Sequence, residues 1–180
     1  MSGEHITGKE FEDCSFKNCD FSGVHFDQCR FIECQFTQCN LSLLNLASSR
    51  LADVNFEHCK MLGIDWTRVH WPQMLFHSPV HFDTCILKDC SFFALTLDEL
   101  QMHNCKAINV DFRQASFKDS DFSASDFAES QFHDTNLSNC NFSDAINYDI
   151  DIHHNTVKGA QFSRLEATRL LEYLHITLLD

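Results

Sequence analysis

The sequence predicts an all-β domain of the solenoid type from three observations. Bulky apolar residues recur at every fifth position, as Phe122, Phe127 and Phe132 do in the stretch DFSASDFAESQF. A small residue precedes most bulky ones by two positions, and the rest of each unit is mostly polar. Five residues is neither a helical nor a strand period. The chain must therefore turn after each unit and stack on itself, which is the behaviour of a β-solenoid.

The five-residue register covers most of the chain. It runs from Ile6 to Phe76, shifts by one residue, and continues from Phe82. Seventeen of the eighteen Phe residues occupy it, and only Phe93 does not. Residues two apart in an extended segment face the same way, so each unit points one small and one large side chain inward. Burial of each Phe contributes about 1.5–3 kcal/mol.

All ten cysteines occupy the small position of the repeat. This spacing is unlike the C-x-x-C pairs of metal sites, and buried thiols in apolar surroundings are inert, so we interpret the cysteines as small hydrophobic residues. Among the eleven histidines, His70, His77 and His81 form the one cluster near the register shift. Nothing in the sequence supplies a third or fourth metal ligand beside a histidine pair, and we expect no metal and no cofactor.

Two interruptions break the repeat. The segment IDWTRVHWPQMLFHSPVHF contains both Trp, both Pro and the one-residue shift, and each Pro removes a backbone donor. We predict a bulge or short loop at residues 77–81. The loop is either a structural imperfection or a protrusion through which His77, Ser78 and Pro79 contact a partner. At the second interruption, Asn147 occupies a core position, and we expect Ile152 to resume the repeat.

The last stretch, SRLEATRLLEYLHITLLD, changes period and predicts a helix followed by a strand. Ser163 and Glu166 have the spacing of a capping box. We therefore divide the chain into a solenoid, residues 1–163, and a C-terminal capping or dimerisation segment, residues 164–180. A solenoid needs a cap over its last coil, and capping alone would account for much of this segment. The apolar residues predicted to form a dimer contact are Leu170, Leu171, Leu174, Ile176 and Leu178.

Charge sets limits on function. The formal net charge is −13, which argues against nucleic-acid binding and is compatible with a basic partner. Residues 109–151 contain nine acidic residues and two basic ones. The acidic residues predicted to bind a partner are Asp111, Asp119, Asp121, Asp126, Glu129, Asp134 and Asp144. No apolar run is long enough to span a membrane and no secretory leader is visible, so we expect a cytoplasmic protein.

The units CDFSG, SDFSA and CNFSD resemble the pentapeptide-repeat family, whose pattern is A(D/N)LXX. The resemblance covers about residues 4–163. It implies a right-handed quadrilateral β-helix with four units per coil, whereas spacing alone would also permit a triangular coil. About eight coils at the spacing of neighbouring strands, about 4.8 Å, give a rod about 38 Å long.

Within that family, the chain looks most like the Qnr, MfpA and McbG group in solenoid length, acidic surface and the ending EATRLLEYLHITLLD. This resemblance implies a DNA-mimicking homodimer that joins tail to tail, binds DNA gyrase or topoisomerase IV, and protects it from quinolones or peptide toxins. The interruption is shorter than the loops of Qnr proteins from Gram-negative bacteria, which leaves the rod surface as the contact. The alternative is an interaction scaffold with another protein partner. No nucleophile elbow or P-loop is present, and we expect no enzymatic activity.

Overall fold

The chain forms a right-handed parallel β-solenoid of about eight coils with four flat walls. The computed structural model describes residues 3–72, 77–174 and 176–177. Strands of successive coils pair in parallel with residues twenty apart, for example Phe16 with Phe36. A coil of twenty residues contains four five-residue units, so the prediction of a quadrilateral coil is confirmed.

The strands are short because each wall is only one unit wide. In the described ranges, the first wall contains β1 (His5–Thr7) and β4 (His25–Asp27), and the second contains β2 (Glu10–Glu12), β5 (Arg30–Ile32) and β7 (Arg50–Ala52). The third wall contains β3 (Ser15–Lys17), β6 (Gln35–Thr37), β8 (Val54–Glu57), β10 (Val80–Asp83), β12 (Gln101–His103), β14 (Asn141–Phe142) and β15 (Gln161–Phe162). The fourth contains β9 (Lys60–Leu62), β11 (Ile86–Lys88) and β13 (Lys106–Ile108). Isolated parallel bridges, such as Asp121 with Asn141, continue the walls between the named strands.

Most corners are made by a residue in the left-handed region, two positions after the large core residue. Asp119 has a φ of 59° and Leu43 a φ of 57°, and this conformation recurs every fifth residue. Asn, Asp and Gly adopt it at the lowest cost. The corner positions are accordingly rich in these residues, which explains why the chain turns after each unit.

The interior is filled by stacked aromatic rings. Along the third wall, the ring of Phe36 stacks on Phe16 at 4.7 Å and on Phe56 at 5.2 Å between ring centres. Rings on adjacent walls meet edge to face, as Phe122 and Phe127 do at 5.6 Å. Both arrangements are favourable for aromatic pairs. The Phe register predicted from the sequence is therefore the core of the solenoid.

The first interruption is longer than the sequence indicates. Across it, Phe56 pairs with Phe82, an interval of twenty-six residues instead of twenty. The six additional residues fall between Trp71 and Pro79 in the sequence, and residues 73–76 of this segment lie outside the described ranges. His81 belongs to β10, so the predicted loop at 77–81 ends before that residue.

The predicted loop contacts are mostly not exposed. Ser78 is fully buried and Pro79 is buried as well, while the Pro79 carbonyl accepts a hydrogen bond from the Val54 N–H at 3.0 Å. His77 is exposed, and its Nε2 lies 2.8 Å from the Asp53 carboxylate. Of the three residues, the structure thus leaves only His77 accessible to a partner.

The second interruption also differs from the expectation. Asn147 does not fill a core position, because its backbone turns at a φ of 58° and Tyr148 takes the buried place. Phe132 then pairs with Ile150, which is buried, whereas Ile152 is half-buried. The coil between these two residues therefore contains eighteen residues, two fewer than a regular coil.

The C-terminal helix is a 3₁₀ helix spanning Glu166–Leu174, and a shorter one spans Trp66–Arg68. The capping box predicted for Ser163 and Glu166 does not form. The Ser163 hydroxyl bonds to the Asp144 carboxylate, and the Glu166 carboxylate accepts from the Asn147 N–H at 3.2 Å. These contacts attach the helix to the last coils instead. In the described residues, no helix has the length and apolar character needed to cross a bilayer.

Candidate protein-docking surface

The seven carboxylates predicted to bind a partner encircle the last third of the rod. We call them the acidic belt. Asp111 and Asp134 project from the first wall, Asp119 from the second, Asp121 and Asp144 from the third, and Asp126 and Glu129 from the fourth. The structure therefore brings them to one level of the rod but not to one face, and a partner meets negative charge from every side.

Three carboxylates of the belt also hold the backbone of their own unit. Each accepts a hydrogen bond from the N–H two residues ahead, at 3.1 Å for Asp111, 2.9 Å for Asp121 and 3.1 Å for Asp126. These bonds are Asx turns, in which a short polar side chain stabilises a bend. Their side chains are half-buried, so these hydrogen bonds fix the positions of the three charges.

Asparagines on the next coil bond to two carboxylates of the belt. The Nδ2 of Asn139 donates to Asp119 at 2.7 Å, and that of Asn141 donates to Asp121 at 3.1 Å. Neighbouring coils hold equivalent residues about 4.8 Å apart, where two carboxylates would repel. On the following coil, an amide stands where a second carboxylate would repel Asp119 or Asp121, and the negative charge of each Asp stays in place. Asp residues followed by Asn twenty positions later would have revealed this pattern in the sequence once the coil length was known.

The two basic residues of the region 109–151 are bound to carboxylates of the acidic belt. Arg113 makes a two-point contact with Asp111, with its Nε and its second terminal nitrogen at 2.9 and 2.8 Å. Lys118 lies 3.1 Å from Asp119. The hydrogen bonds from Arg113 lower the pKa of Asp111, and those from Asn139 and then Lys118 lower the pKa of Asp119. Both carboxylates are therefore charged at neutral pH.

A cleft of about 1000 Å³ lies between the acidic belt and the C-terminal 3₁₀ helix. The cleft is lined by residues 128–133, by residues of the irregular turn at 147–151, and by residues of the helix. The lining includes the carboxylates of Glu129, Asp149, Asp151 and Glu172, the side chains of Arg113 and Arg169, and both Tyr148 and Tyr173. The sequence offered no signal for this cleft, because it depends on where the helix folds back.

The predicted dimer residues divide into packed and exposed ones. Leu170 packs against the core and Leu171 is half-buried, so both serve to cap the last coil. Leu174 is 39% exposed and Ile176 is 53% exposed. Leu178 lies outside the described residues. Leu165, which the sequence did not single out, is 86% exposed at the start of the helix.

The histidines are dispersed over the walls. His5 stacks on His25 with ring centres 4.3 Å apart, and burial lowers the pKa of His81. In residues 3–72, 77–174 and 176–177, no three His, Cys, Asp or Glu side chains converge in a way that could hold a metal ion.

The architecture has counterparts among solved structures. Full-length QnrB1, described as a plasmid-mediated fluoroquinolone resistance protein, superposes with a TM-score of 0.69 at 23% identity, over 98% of this chain and 97% of QnrB1. A trypsin-treated variant of QnrB1 gives a TM-score of 0.68 at 22% identity over the full length of both chains. At this level of identity, the likeness establishes the fold. A search of curated protein sequences finds no match.

Together, the four-walled coil and its carboxylate coat define an acidic β-solenoid with a helical end. Residues 9–79 and 64–142 match the family model described as a pentapeptide repeat region. The chain belongs to the pentapeptide-repeat family, as the units CDFSG and CNFSD indicated.

Proposed function

We propose that this protein is a DNA mimic that binds DNA gyrase or topoisomerase IV and protects the enzyme from quinolones or gyrase toxins. The observation that supports this function is a stiff rod with carboxylates fixed on all four walls. Duplex DNA carries one negative charge per about 1.7 Å of axis. The protein carries −13 over a rod about 38 Å long, one charge per about 3 Å.

The rigidity of the charges matters as much as their number. A protein that grips duplex DNA through Lys and Arg presents those groups on a preformed surface. The carboxylates of Asp121 and Asp126 are held by backbone and amide hydrogen bonds, so little side-chain freedom is lost when they are bound. Complementary charge also speeds the encounter of the two proteins.

The structural likeness to QnrB1 is consistent with protection from fluoroquinolones, because it extends over both chains at nearly full length. The shape is shared while most residues differ. A common function would then rest on the shape and charge of the rod, which this chain has, more than on individual side chains.

We also propose that the protein acts as a homodimer joined at the C-terminal segment. Leu174 and Ile176 leave apolar surface at the end of the rod beyond the acidic belt. Joining two such ends would bring two acidic belts to either side of the centre of a rod of about twice the length. That arrangement would offer a longer mimic of duplex DNA in the cytoplasm, without any catalytic step.

The experiment that tests this proposal is a supercoiling assay with purified gyrase. The protein is titrated with and without a quinolone, and cleavage complexes are measured in parallel. We expect competition with DNA for gyrase at micromolar protein and fewer drug-induced cleavage complexes. If micromolar protein neither binds, inhibits nor protects gyrase and topoisomerase IV, the mimicry proposal is wrong and a scaffold for another protein partner remains.

A further inference from the structure

The cleft beside the C-terminal 3₁₀ helix combines several carboxylates with a buried hydroxyl that has no partner in the described part of the chain. Its lining includes four carboxylates, Glu129, Asp149, Asp151 and Glu172. It also includes Tyr148, whose side chain is fully buried and whose hydroxyl has no hydrogen-bond partner among the described residues. A buried hydroxyl without a partner is destabilising, and such groups in proteins call for an explanation.

The two arginines of the lining do not neutralise this cleft. Arg169 donates from Nε to Glu166 at 2.8 Å, and Arg113 is bound to Asp111. Their partners Glu166 and Asp111 do not line the cleft. Each arginine is thus balanced by a carboxylate outside the lining, and the four carboxylates within it remain as the net charge.

Two of the four cleft carboxylates already accept a hydrogen bond from a side chain of the protein. Asp149 accepts a hydrogen bond from the Tyr173 hydroxyl, and Asp151 accepts one from the His154 ring at 2.7 Å. Glu129 and Glu172 are both exposed and both line the cleft, one from the fourth wall and one from the helix. An opening between two exposed carboxylates suits a positively charged group that can bond to both.

We propose that this cleft binds an organic cation, a guanidinium or primary ammonium group, which the carboxylates of Glu129 and Glu172 hold and which donates a hydrogen bond to the Tyr148 hydroxyl. The hydroxyl is buried, so side chains of the lining have to move aside for the cation to reach it. Arg169 and Tyr173, which line the cleft, are only half-buried. The cation is either a free polyamine-like molecule or a Lys or Arg side chain of a partner protein, and the site does not depend on which partner the acidic belt binds.

The chain offers a direct probe, because its only two tyrosines, Tyr148 and Tyr173, both line this cleft. Tyrosine labelled with ¹³C in the ring gives two sets of NMR signals, and both report on the site. We expect agmatine to shift them saturably, whereas butylurea, which has a similar shape without charge, should not. A short arginine-containing peptide that binds much more tightly than agmatine would identify a partner side chain as the natural ligand. Tighter binding of agmatine or spermidine would identify a free cation.

Two variants test the assigned contacts. Glu172→Gln should weaken agmatine binding about fivefold, the loss expected for one exposed ion pair. Glu33→Gln, which removes an exposed carboxylate at the opposite end of the rod, should leave it unchanged. Tyr148→Phe keeps the ring in the core and removes the hydroxyl, so it should fold normally and bind more weakly, as read from the Tyr173 signals. The proposal is overturned if agmatine shifts neither tyrosine, or if the Glu172 and Glu33 variants bind it alike.

Discussion

The backbone N–H of Cys59 donates to the Sγ of Cys85 on the next coil at a distance of 3.4 Å. The Sγ of Cys59 in turn receives the N–H of Cys39 and donates to the Phe36 carbonyl at 3.3 Å. These thiols therefore satisfy backbone groups at the corners as well as filling space. Burial raises the pKa of Cys90 to about 11, so that thiol stays protonated at neutral pH. All ten cysteines are free.

Hydroxyl groups replace the thiols at equivalent corners, which gives the first prediction. Ser49 accepts the Cys29 N–H at 2.9 Å and donates to the Phe26 carbonyl at 2.6 Å. Cys59→Ser should therefore change the free energy of unfolding by no more than about 1 kcal/mol. Cys59→Val should cost about 1–3 kcal/mol, because the Cys39 N–H loses its acceptor in a buried site. Urea unfolding followed by circular dichroism measures both, and equal stability of the two variants would contradict the role of the thiol as an acceptor.

The second prediction compares the stability loss when a Phe of the core register is removed with the loss when Phe93, the one Phe outside the register, is removed. Phe122 is fully buried and its ring lies 5.2 Å from that of Phe142 on the next coil. Phe122→Ala should cost about 3–5 kcal/mol, since the stacked rings around it cannot collapse into the cavity. Phe93 is 37% exposed, and the Arg113 guanidinium lies 5.8 Å from its ring centre. Phe93→Ala should cost about 1 kcal/mol or less. Similar unfolding midpoints for the two variants would be inconsistent with the solenoid core.

The core was predictable from the sequence because its period is local, but the first interruption was not. When residues are counted in units of five, an insertion changes the register only by the number of residues left over after whole units are removed. The six residues inserted between Phe56 and Phe82, beyond the regular twenty, therefore look like a shift of one. The sequence could not show that this coil contains a whole extra unit. For the same reason the predicted loop, residues 77–81, overlaps the first two residues of β10.

The second interruption is hidden because two changes cancel. Phe132 pairs with Ile150, eighteen residues later, yet Asn136 pairs with Thr156, again twenty residues later. The five-residue register therefore shows only Asn147 as irregular in this region, and it does not predict that Tyr148 is in the core. The acidic belt was recognisable from composition. Its distribution over four walls, and the cleft beside it, depend on the coil length and on the fold-back of the helix.

The third prediction concerns acid stability. Hydrogen bonds from Arg113 hold the pKa of Asp111 below its ordinary value of 3.8. The charged form therefore stabilises the fold above that value, and this contribution is lost as the pH falls through the lower pKa of the folded state. Asp111→Asn should flatten the decline in stability as the pH falls below about 4. Arg113→Gln removes the cause of the shift and should flatten it in the same way. Unfolding midpoints across this range that match those of the unmodified protein would refute the assignment.

The fourth prediction tests mimicry with folding preserved. Changing Asp119, Asp121 and Asp126 together to Asn removes three charges, and Asn retains the oxygen that accepts in the Asx turns of Asp121 and Asp126. Binding to gyrase should weaken about tenfold or more at low salt and depend less on salt, because charge complementarity is screened by ions. Surface plasmon resonance at several salt concentrations measures both effects.

The matched control for the mimicry test removes the same number of charges from the other end of the rod. Glu12, Asp13 and Glu33 are exposed on the first coils, away from the acidic belt. Changing them to the corresponding amides should reduce gyrase affinity less than the belt variant does. If the two triple variants lose equal affinity, net charge and not the position of the belt governs binding.

The fifth prediction addresses the dimer proposed at the C-terminal end. Apolar surface left exposed at the end of a rod favours association with a second copy, and a charge placed within such an interface is costly to bury. Leu174→Glu combined with Ile176→Glu should convert the dimer to a monomer in sedimentation velocity, while the circular dichroism of the solenoid stays unchanged. Leu43→Glu is the matched control, because Leu43 is 66% exposed at a corner far from the helix. It should leave the dimer intact. A monomeric parent protein at micromolar concentration, or a dimer that survives the double substitution, would place the contact elsewhere or remove it.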